Sequence, residues 1–274
     1  MLRAESTIDP AHPFAWSGNT GWTNWRSNAG DGARTGEYVL SGAIWLSNAG
    51  WVQLGDGTPA NSVRYENNSA TDFGVNLHED FTLRGFAYGA NIGWLQFESS
   101  GNPHIDPATG RLRGYAWSAN LGWINLGNGS GQYVATMSIP MSPDLDTDGI
   151  SDAWELEMAG ELKTLSQTGD YDADGLLDLD EYAADSNPLD SSDGLRITQF
   201  TLGGGTTQVT LGWTSRVSRI YHIESCLALE PGNWTESPLG GITSPANGTI
   251  SRAFTVPAAS QRFYRIRAGR PLAR

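Results

Sequence analysis

The pattern aromatic-x-x-Asn-x-Gly-Trp occurs four times in the first 140 residues, and an internal repeat limits the available folds more than any single motif. The copies are Trp16…Asn19…Gly21-Trp22, Trp45…Asn48…Gly50-Trp51, Tyr88…Asn91…Gly93-Trp94 and Trp117…Asn120…Gly122-Trp123. Their glycines are 29, 43 and 29 residues apart, a rhythm of two similar halves. The long middle gap carries Asn61-Ser-Val-Arg-Tyr-Glu-Asn-Asn-Ser69, which reads as a loop or an added strand.

Each copy predicts a β-hairpin. In the last one, Arg113-Gly114-Tyr115-Ala116-Trp117 alternates large and small residues with period two. Ser118-Ala119-Asn120-Leu121-Gly122 forms the turn, with Asn and Gly able to take positive φ. The chain resumes as Trp123-Ile124-Asn125-Leu126, where Ile124 and Leu126 share one face and Trp123 and Asn125 the other. Both faces therefore carry large apolar groups, as in stacked repeats or a closed barrel. A lectin-like surface and a repeat core are the two readings of the tryptophans. Their placement inside strands in every copy favours core. Trp25, Tyr65 and Tyr133 lie outside the repeat frame and are the better candidates for exposed contacts.

Two acidic twelve-residue loops, beginning 26 residues apart, carry the chain's strongest chemical signal. The first offers Asp144, Asp146, Asp148, Ile150, Asp152 and Glu155 at positions 1, 3, 5, 7, 9 and 12. The second offers Asp170, Asp172, Asp174, Leu176, Asp178 and Glu181. Calcium wants six to eight oxygens at about 2.3–2.6 Å. Carboxylates at 1, 3 and 5, a carbonyl at 7, a group at 9 and a two-oxygen Glu at 12 meet that demand. Gly149 and Gly175 at position 6 permit the sharp turn. Two bound Ca2+ ions are therefore expected. Helices are predicted from about 151 through 158 and from near 177 to before Pro188. They are too short for the apolar groove of a calcium sensor, so the metal is expected to be structural.

The net charge of −13 is concentrated in these loops. Residues 144–193 hold 16 acids and one base, Lys163, while the rest of the chain has 14 acids and 16 bases. No basic stripe points to nucleic acid. No apolar run approaches the roughly 20 residues of a membrane span. Cys226 is the single cysteine, so an intrachain disulfide is impossible, and a small buried role is expected for it. The start, Met1-Leu-Arg-Ala-Glu-Ser6, lacks the apolar run of a signal peptide. A removed signal peptide and an extracellular or cell-surface location are expected, because such loops suit millimolar calcium.

Residues 194–268 read as short strands at 195–202, 208–214, 219–224, 249–256 and 261–267, with turns at 203–205 and 244–248. This spacing suggests an immunoglobulin- or fibronectin-like β-sandwich. The expected fold is thus mainly β, in three parts. Residues 1–140 form a Trp-rich repeat β-domain (barrel or stacked hairpins). Residues 141–193 form a short paired loop-helix calcium module, and 194–274 a C-terminal β-sandwich.

The two acidic loops, with Glu181-Tyr182 and Asn187-Pro188, resemble the EF-hand-like units of dockerins and thrombospondin type-3 modules of bacterial secreted proteins. Dockerin loops usually close on Asp, whereas Glu155 and Glu181 close these, which argues against the cohesin partner a dockerin implies. Residues Gly114-Tyr-Ala-Trp117-Ser-Ala-Asn120-Leu-Gly122-Trp123-Ile124 resemble the Gly-Tyr-Ala-Trp-Ser-x-Asn-x-Gly-Trp-Ile repeats of bacterial surface proteins. The segment ending Phe263-Tyr264-Arg265-Ile266-Arg267 is similar to C-terminal β-domains of large secreted proteins. These resemblances imply a surface location and no reaction.

His12, His78, His104 and His222 are scattered, and no zinc set, triad, Gly-x-Ser-x-Gly elbow or phosphate-binding loop is formed. Few acids remain outside the loops to line a glycosidase cleft. The expectation is a non-enzymatic, calcium-binding structural or adhesive protein, with calcium rigidifying a spacer between two β-domains. Its expected partners are surface polysaccharide or another copy of the chain. Alternatives are a calcium-supported carbohydrate-binding protein, an accessory module of a degradative enzyme, or a filament or surface-layer subunit.

Overall fold

The computed structural model describes residues 5–27, 32–127, 129, 131–203, 207–229 and 232–273. The chain start and most of the expected 203–205 turn lie outside them. The chain is mainly β and divides into two compact units. One holds residues up to Leu145, with Ser151–Glu157 and the chain end from Leu272. The other holds Asp146–Ile150 and Met158–Pro271.

The four repeats form four hairpins. These are β1 (Ile8–Ser17) with β2 (Gly21–Asn24), and β3 (Leu40–Leu46) with β4 (Gly50–Gly55). They continue as β5 (Leu83–Gly89) with β6 (Gly93–Phe97), and β7 (Tyr115–Ser118) with β8 (Gly122–Asn125). Each strand pairs antiparallel with the next, and β8 returns to β1, closing an eight-stranded barrel. Of the two expected architectures, barrel or stacked hairpins, the chain adopts the barrel. Val134–Thr136 pairs with β1, Arg34–Thr35 with β3 and Val75–Leu77 with β5. Residues 61–69 in the long gap form a loop without strand.

The turn chemistry explains the repeat. Ala49 N–H donates to Leu46 O at 3.1 Å, Ile92 to Gly89 at 3.1 Å and Leu121 to Ser118 at 3.3 Å. The next residue, Gly21, Gly50, Gly93 or Gly122, then has φ of +73°, +85°, +70° or +71°. Only glycine enters that left-handed region without steric cost, and it sets the two strands in register. The repeat aromatics consequently face each other, as Trp16 with Trp22, Trp45 with Trp51, Tyr88 with Trp94 and Trp117 with Trp123.

The repeat asparagine does not serve its own turn. Asn19 Nδ2 donates to Leu121 O at 2.8 Å and Asn48 to Thr20 O at 3.3 Å. Asn91 donates to Ala49 O at 3.0 Å and Asn120 to Ile92 O at 2.9 Å. Each bond crosses to a neighbouring hairpin, and the four together run once around the turn end of the barrel.

Period-two alternation sends Ala15, Thr23, Ile44, Val52, Leu54, Ala87, Leu95, Phe97, Ala116 and Ile124 inside. The repeat aromatics go outside, and this overturns the core reading. Trp16, Trp22, Trp45, Trp51, Tyr88, Trp94, Tyr115 and Trp123 are 37–47% exposed, and Trp117 is half-buried. An eight-stranded barrel has an interior just wide enough to be filled by side chains, with no room for a ring from every strand. The off-frame aromatics are reversed too. Trp25 (0% exposed) packs edge-to-face on Phe97 at 6.5 Å, and Tyr65 (4%) is buried. Tyr133 is half-buried, stacked on His12 with the Arg111 guanidinium over its ring.

In the second unit, β9 (Ile197–Leu202), β10 (Gln208–Ser215) and β12 (Gly248–Thr255) form one antiparallel sheet. The second sheet is built on β11 (Ile220–Cys226), which pairs with β13 (Phe263–Gly269) and two short strands. Val209, Leu211, Trp213, Tyr221, Ile223 and Phe254 from both sheets make one buried cluster. Cys226 is buried, as its neighbours in sequence suggest.

Gly93→Ala should cost roughly 1–2 kcal/mol of stability through backbone strain. Nothing lies within 4 Å of where its Cβ would stand, so strain is the whole effect. Gly93→Asn should cost less, since Asn tolerates this conformation. Asn91→Ala should cost about 1 kcal/mol for the lost seam bond. Urea unfolding of the three variants checks the ranking, and unchanged midpoints would remove the turn end from the account.

Candidate functional site

Two features of the surface carry chemistry, the acidic loops and the barrel exterior. The loops share one backbone conformation. Position 4 has positive φ in both, Thr147 at +62° and Ala173 at +59°, and position 6 is Gly149 or Gly175 at +93°. Position 5 accepts from position 7 in each, Ile150 N–H to Asp148 at 2.9 Å and Leu176 N–H to Asp174 at 2.7 Å. Position 9 accepts from position 2, Leu145 N–H to Asp152 at 2.9 Å and Tyr171 N–H to Asp178 at 3.0 Å. The sequence dictates this locally, because Asp side chains compete well for nearby amides and glycine permits the turn. Each loop leads into its helix, α1 (Asp152–Met158) or α2 (Asp178–Ala184), close to the expected spans.

Within the continuous stretch 144–155, carboxylate oxygens of Asp144, Asp146 and Asp152 lie within 4.8 Å of one another, as do those of Asp146, Asp148 and Glu155. In the second loop Asp170, Asp172 and Asp174 do the same. Asp178 is not in that group. Both its oxygens accept backbone amides, from Tyr171 at 3.0 Å and Ser166 at 2.9 Å, so it shapes the loop. Asp174 also pairs with Arg196 at 2.6 Å. The Ile150 side chain is buried and Leu176 is half-buried, which leaves the position-7 contribution to the backbone carbonyl.

Glu181 supplies the test of fit. It is 0% exposed; Oε1 accepts from the Ser186 hydroxyl at 3.1 Å, and Oε2 has no partner among the described residues. Desolvation pushes its carboxyl up to about 7; the Ser186 bond opposes this, and the charges of Asp172, Asp174 and Asp178 add to it. A buried carboxylate with an unused oxygen among like charges suits a hard divalent cation, which relieves both burdens. The donor set, all oxygen, fits calcium.

The barrel exterior is the site that sequence reasoning assigned to core. Trp16 and Trp22 stand edge-to-face at 4.8 Å, Trp45 and Trp51 at 5.2 Å, and Tyr88 and Trp94 at 5.0 Å. A second tier adds Phe14 against Trp22, Phe86 against Trp94 and Tyr115 against Trp123 at 5.8–6.2 Å. The equivalent position in the second hairpin is Ala43. Phe73, from the long gap, packs on Trp94 at 5.2 Å.

Residues that sequence reasoning did not single out complete this belt. Two positions beyond each repeat Trp stands a carboxamide, Asn24, Gln53, Gln96 or Asn125. Its strand register aligns it with the first aromatic of the adjoining hairpin, as Asn24 with Trp45, Gln53 with Tyr88, Gln96 with Trp117 and Asn125 with Trp16. The recurrence of Asn or Gln at that spacing was the available signal. Comparison with known proteins finds no matching family model, no similar curated protein and no similar solved structure.

Glu181→Gln should lower calcium affinity at the second loop at least about tenfold, by analogy with losses measured even for outer-shell partners. In chelator the same variant should melt no lower than the parent, because it deletes a buried charge. Calorimetric calcium titration and thermal melts in both buffers check the two halves, and unchanged affinity would remove Glu181 from the ligand set.

Proposed function

We propose that this chain is a non-enzymatic glycan-binding protein of the cell exterior, adhesive in use, whose acidic loops each take one structural Ca2+ ion. The observation that carries the reading is the belt, in which aromatic pairs face solvent on every hairpin and a carboxamide borders each one. Indole faces present negative quadrupoles to the C–H faces of pyranose rings. Carboxamides offer both donors and acceptors to hydroxyl pairs. Exposed rings held on strands lose little conformational entropy on binding. Buried core would explain the tryptophans without a ligand, but outward rings on all four hairpins form an apolar surface of the kind that marks an interaction site.

Calcium supports the fold in this reading and does not touch the glycan. Without it, thirteen acids crowd residues 144–181, and their repulsion loosens that stretch. The surface location rests on the same loops, because calcium is abundant outside the cell.

A self-association reading has one observation in its favour. Strand β9 is a sheet edge that exposes Ile197, Phe200 and Leu202, and exposed apolar edges pair with other chains.

Binding to a panel of immobilised glycans, in millimolar calcium and in chelator, tests the main reading. Binding should occur with calcium, and Trp45→Ala/Trp51→Ala should weaken it with a melting temperature within a few degrees of the parent. No binding to any glycan, together with concentration-dependent oligomers in light scattering, would put the β9 edge first. Chelator should also lower the melting temperature and speed proteolysis between Pro143 and Pro188. Equal protease resistance in both buffers would remove calcium from the fold.

A further inference from the structure

The belt has a regular chemical plan that narrows its ligand. The outward positions of the eight barrel strands nearest the turns are Phe14, Trp16, Trp22, Asn24, Ala43, Trp45, Trp51 and Gln53, followed by Phe86, Tyr88, Trp94, Gln96, Tyr115, Trp117, Trp123 and Asn125. None of these sixteen side chains is charged. Outside residues 144–193 the chain has 14 acids and 16 bases, and none of them falls in this band.

The polar groups of the band are also held in place. Asn24 Oδ1 accepts the Arg26 and Ser27 amides, both at 3.0 Å. Asn125 Oδ1 accepts the Gly127 amide at 3.1 Å, and Gln53 Nε2 donates to Gly55 O at 2.7 Å. These backbone bonds orient three of the four carboxamides before any ligand arrives, which lowers the entropic cost of binding. Each carboxamide belongs to one hairpin and is in register with the first aromatic of its neighbour, so each seam between hairpins repeats the same pair.

Resting on the glycan-binding reading, we infer that the barrel takes uncharged polysaccharide at four similar seam sites, each built from a carboxamide and an aromatic pair of adjoining hairpins. A uronate or sulfate set against these sixteen side chains would lose water without meeting a cation among them, which costs more than the stacking returns. The four sites lie around one rigid barrel, so a long chain or a dense glycan surface engages several at once and binds by avidity. Ala43 and Phe73 make the second seam the exception. Gln53 stands beside Ala43 rather than a ring and is the exposed carboxamide of the set, while Phe73 extends the aromatic surface beyond Trp94. The second seam therefore offers the most accessible carboxamide of the four.

The test is calorimetric titration of the whole chain in calcium with neutral hexaoses (cello-, xylo-, manno- and chito-hexaose) and with oligogalacturonate of the same length. The expected result is binding of at least one neutral hexaose with a stoichiometry above one and approaching four, and at least tenfold weaker binding of the uronate at low salt. Gln53→Ala, which leaves every ring in place, should remove or weaken one site about tenfold and leave the others. Trp51→Ala should act likewise at the second hairpin. Preference for the uronate would overturn the neutral-ligand inference and leave the glycan-binding reading standing. A stoichiometry of one, abolished by a single substitution, would overturn the four seam sites alone. Binding of no sugar by a chain that melts cooperatively would overturn both.

Discussion

Each repeat asparagine reaches sideways, from its own hairpin turn to a carbonyl of the neighbouring one, and four such bonds run around one end of the barrel. Much else depends on that closure. Once β8 pairs with β1, the eight strands have no free edge among themselves, and the interior volume is set by strand number. That volume accepts Ala, Val, Ile and Leu from the inward positions, with Phe97 and Trp25 as the large exceptions. The repeat tryptophans are left outside because nothing else can be done with them. Thr20, Ala49 and Ile92, whose carbonyls accept the seam bonds, are themselves buried at this end.

The outward rings brace the hairpins, and in the proposed reading they also bind. An edge-to-face pair across a hairpin contributes about 0.5–1.5 kcal/mol beyond its buried area, so the pairs help hold the short strands together. The same geometry leaves ring faces open and rigid. The acidic loops work on a different principle. Their backbone is drawn into shape by Asp-to-amide bonds, and the like charges so gathered are unfavourable until a cation shares them.

The hairpins, their turns and the helices after each acidic loop were legible in the chain because each rests on local rules. Gly at positive φ, period-two alternation and Asp beside a backbone amide act over a few residues. The five long strands of the C-terminal sheets fell within about two residues of expectation for the same reason, whereas the short Thr235–Glu236 and Ile242–Thr243 strands were not expected. The facing of the tryptophans was not legible. Trp123-Ile124-Asn125-Leu126 has large apolar groups on both faces, and the one local cue to the outer face, a carboxamide beside the ring in every copy, is small against the size of an indole. Tyr65 and Trp25 were misplaced because burial there comes from distant partners, as in the Trp25 contact with Phe97. The role of the repeat asparagine was hidden as well, since its partners lie 28, 42 or 102 residues away.

By itself the sequence determined the repeating unit: a hairpin whose glycine sets the register, with two chemically distinct faces, and two loops whose acids cannot avoid one another. Tertiary structure decided which face became surface. Strand parity is a local property, but inside and outside exist only after the sheet closes. An eight-stranded barrel encloses too little space for the larger set of side chains, and that limit, rather than any motif, turned the tryptophans toward solvent.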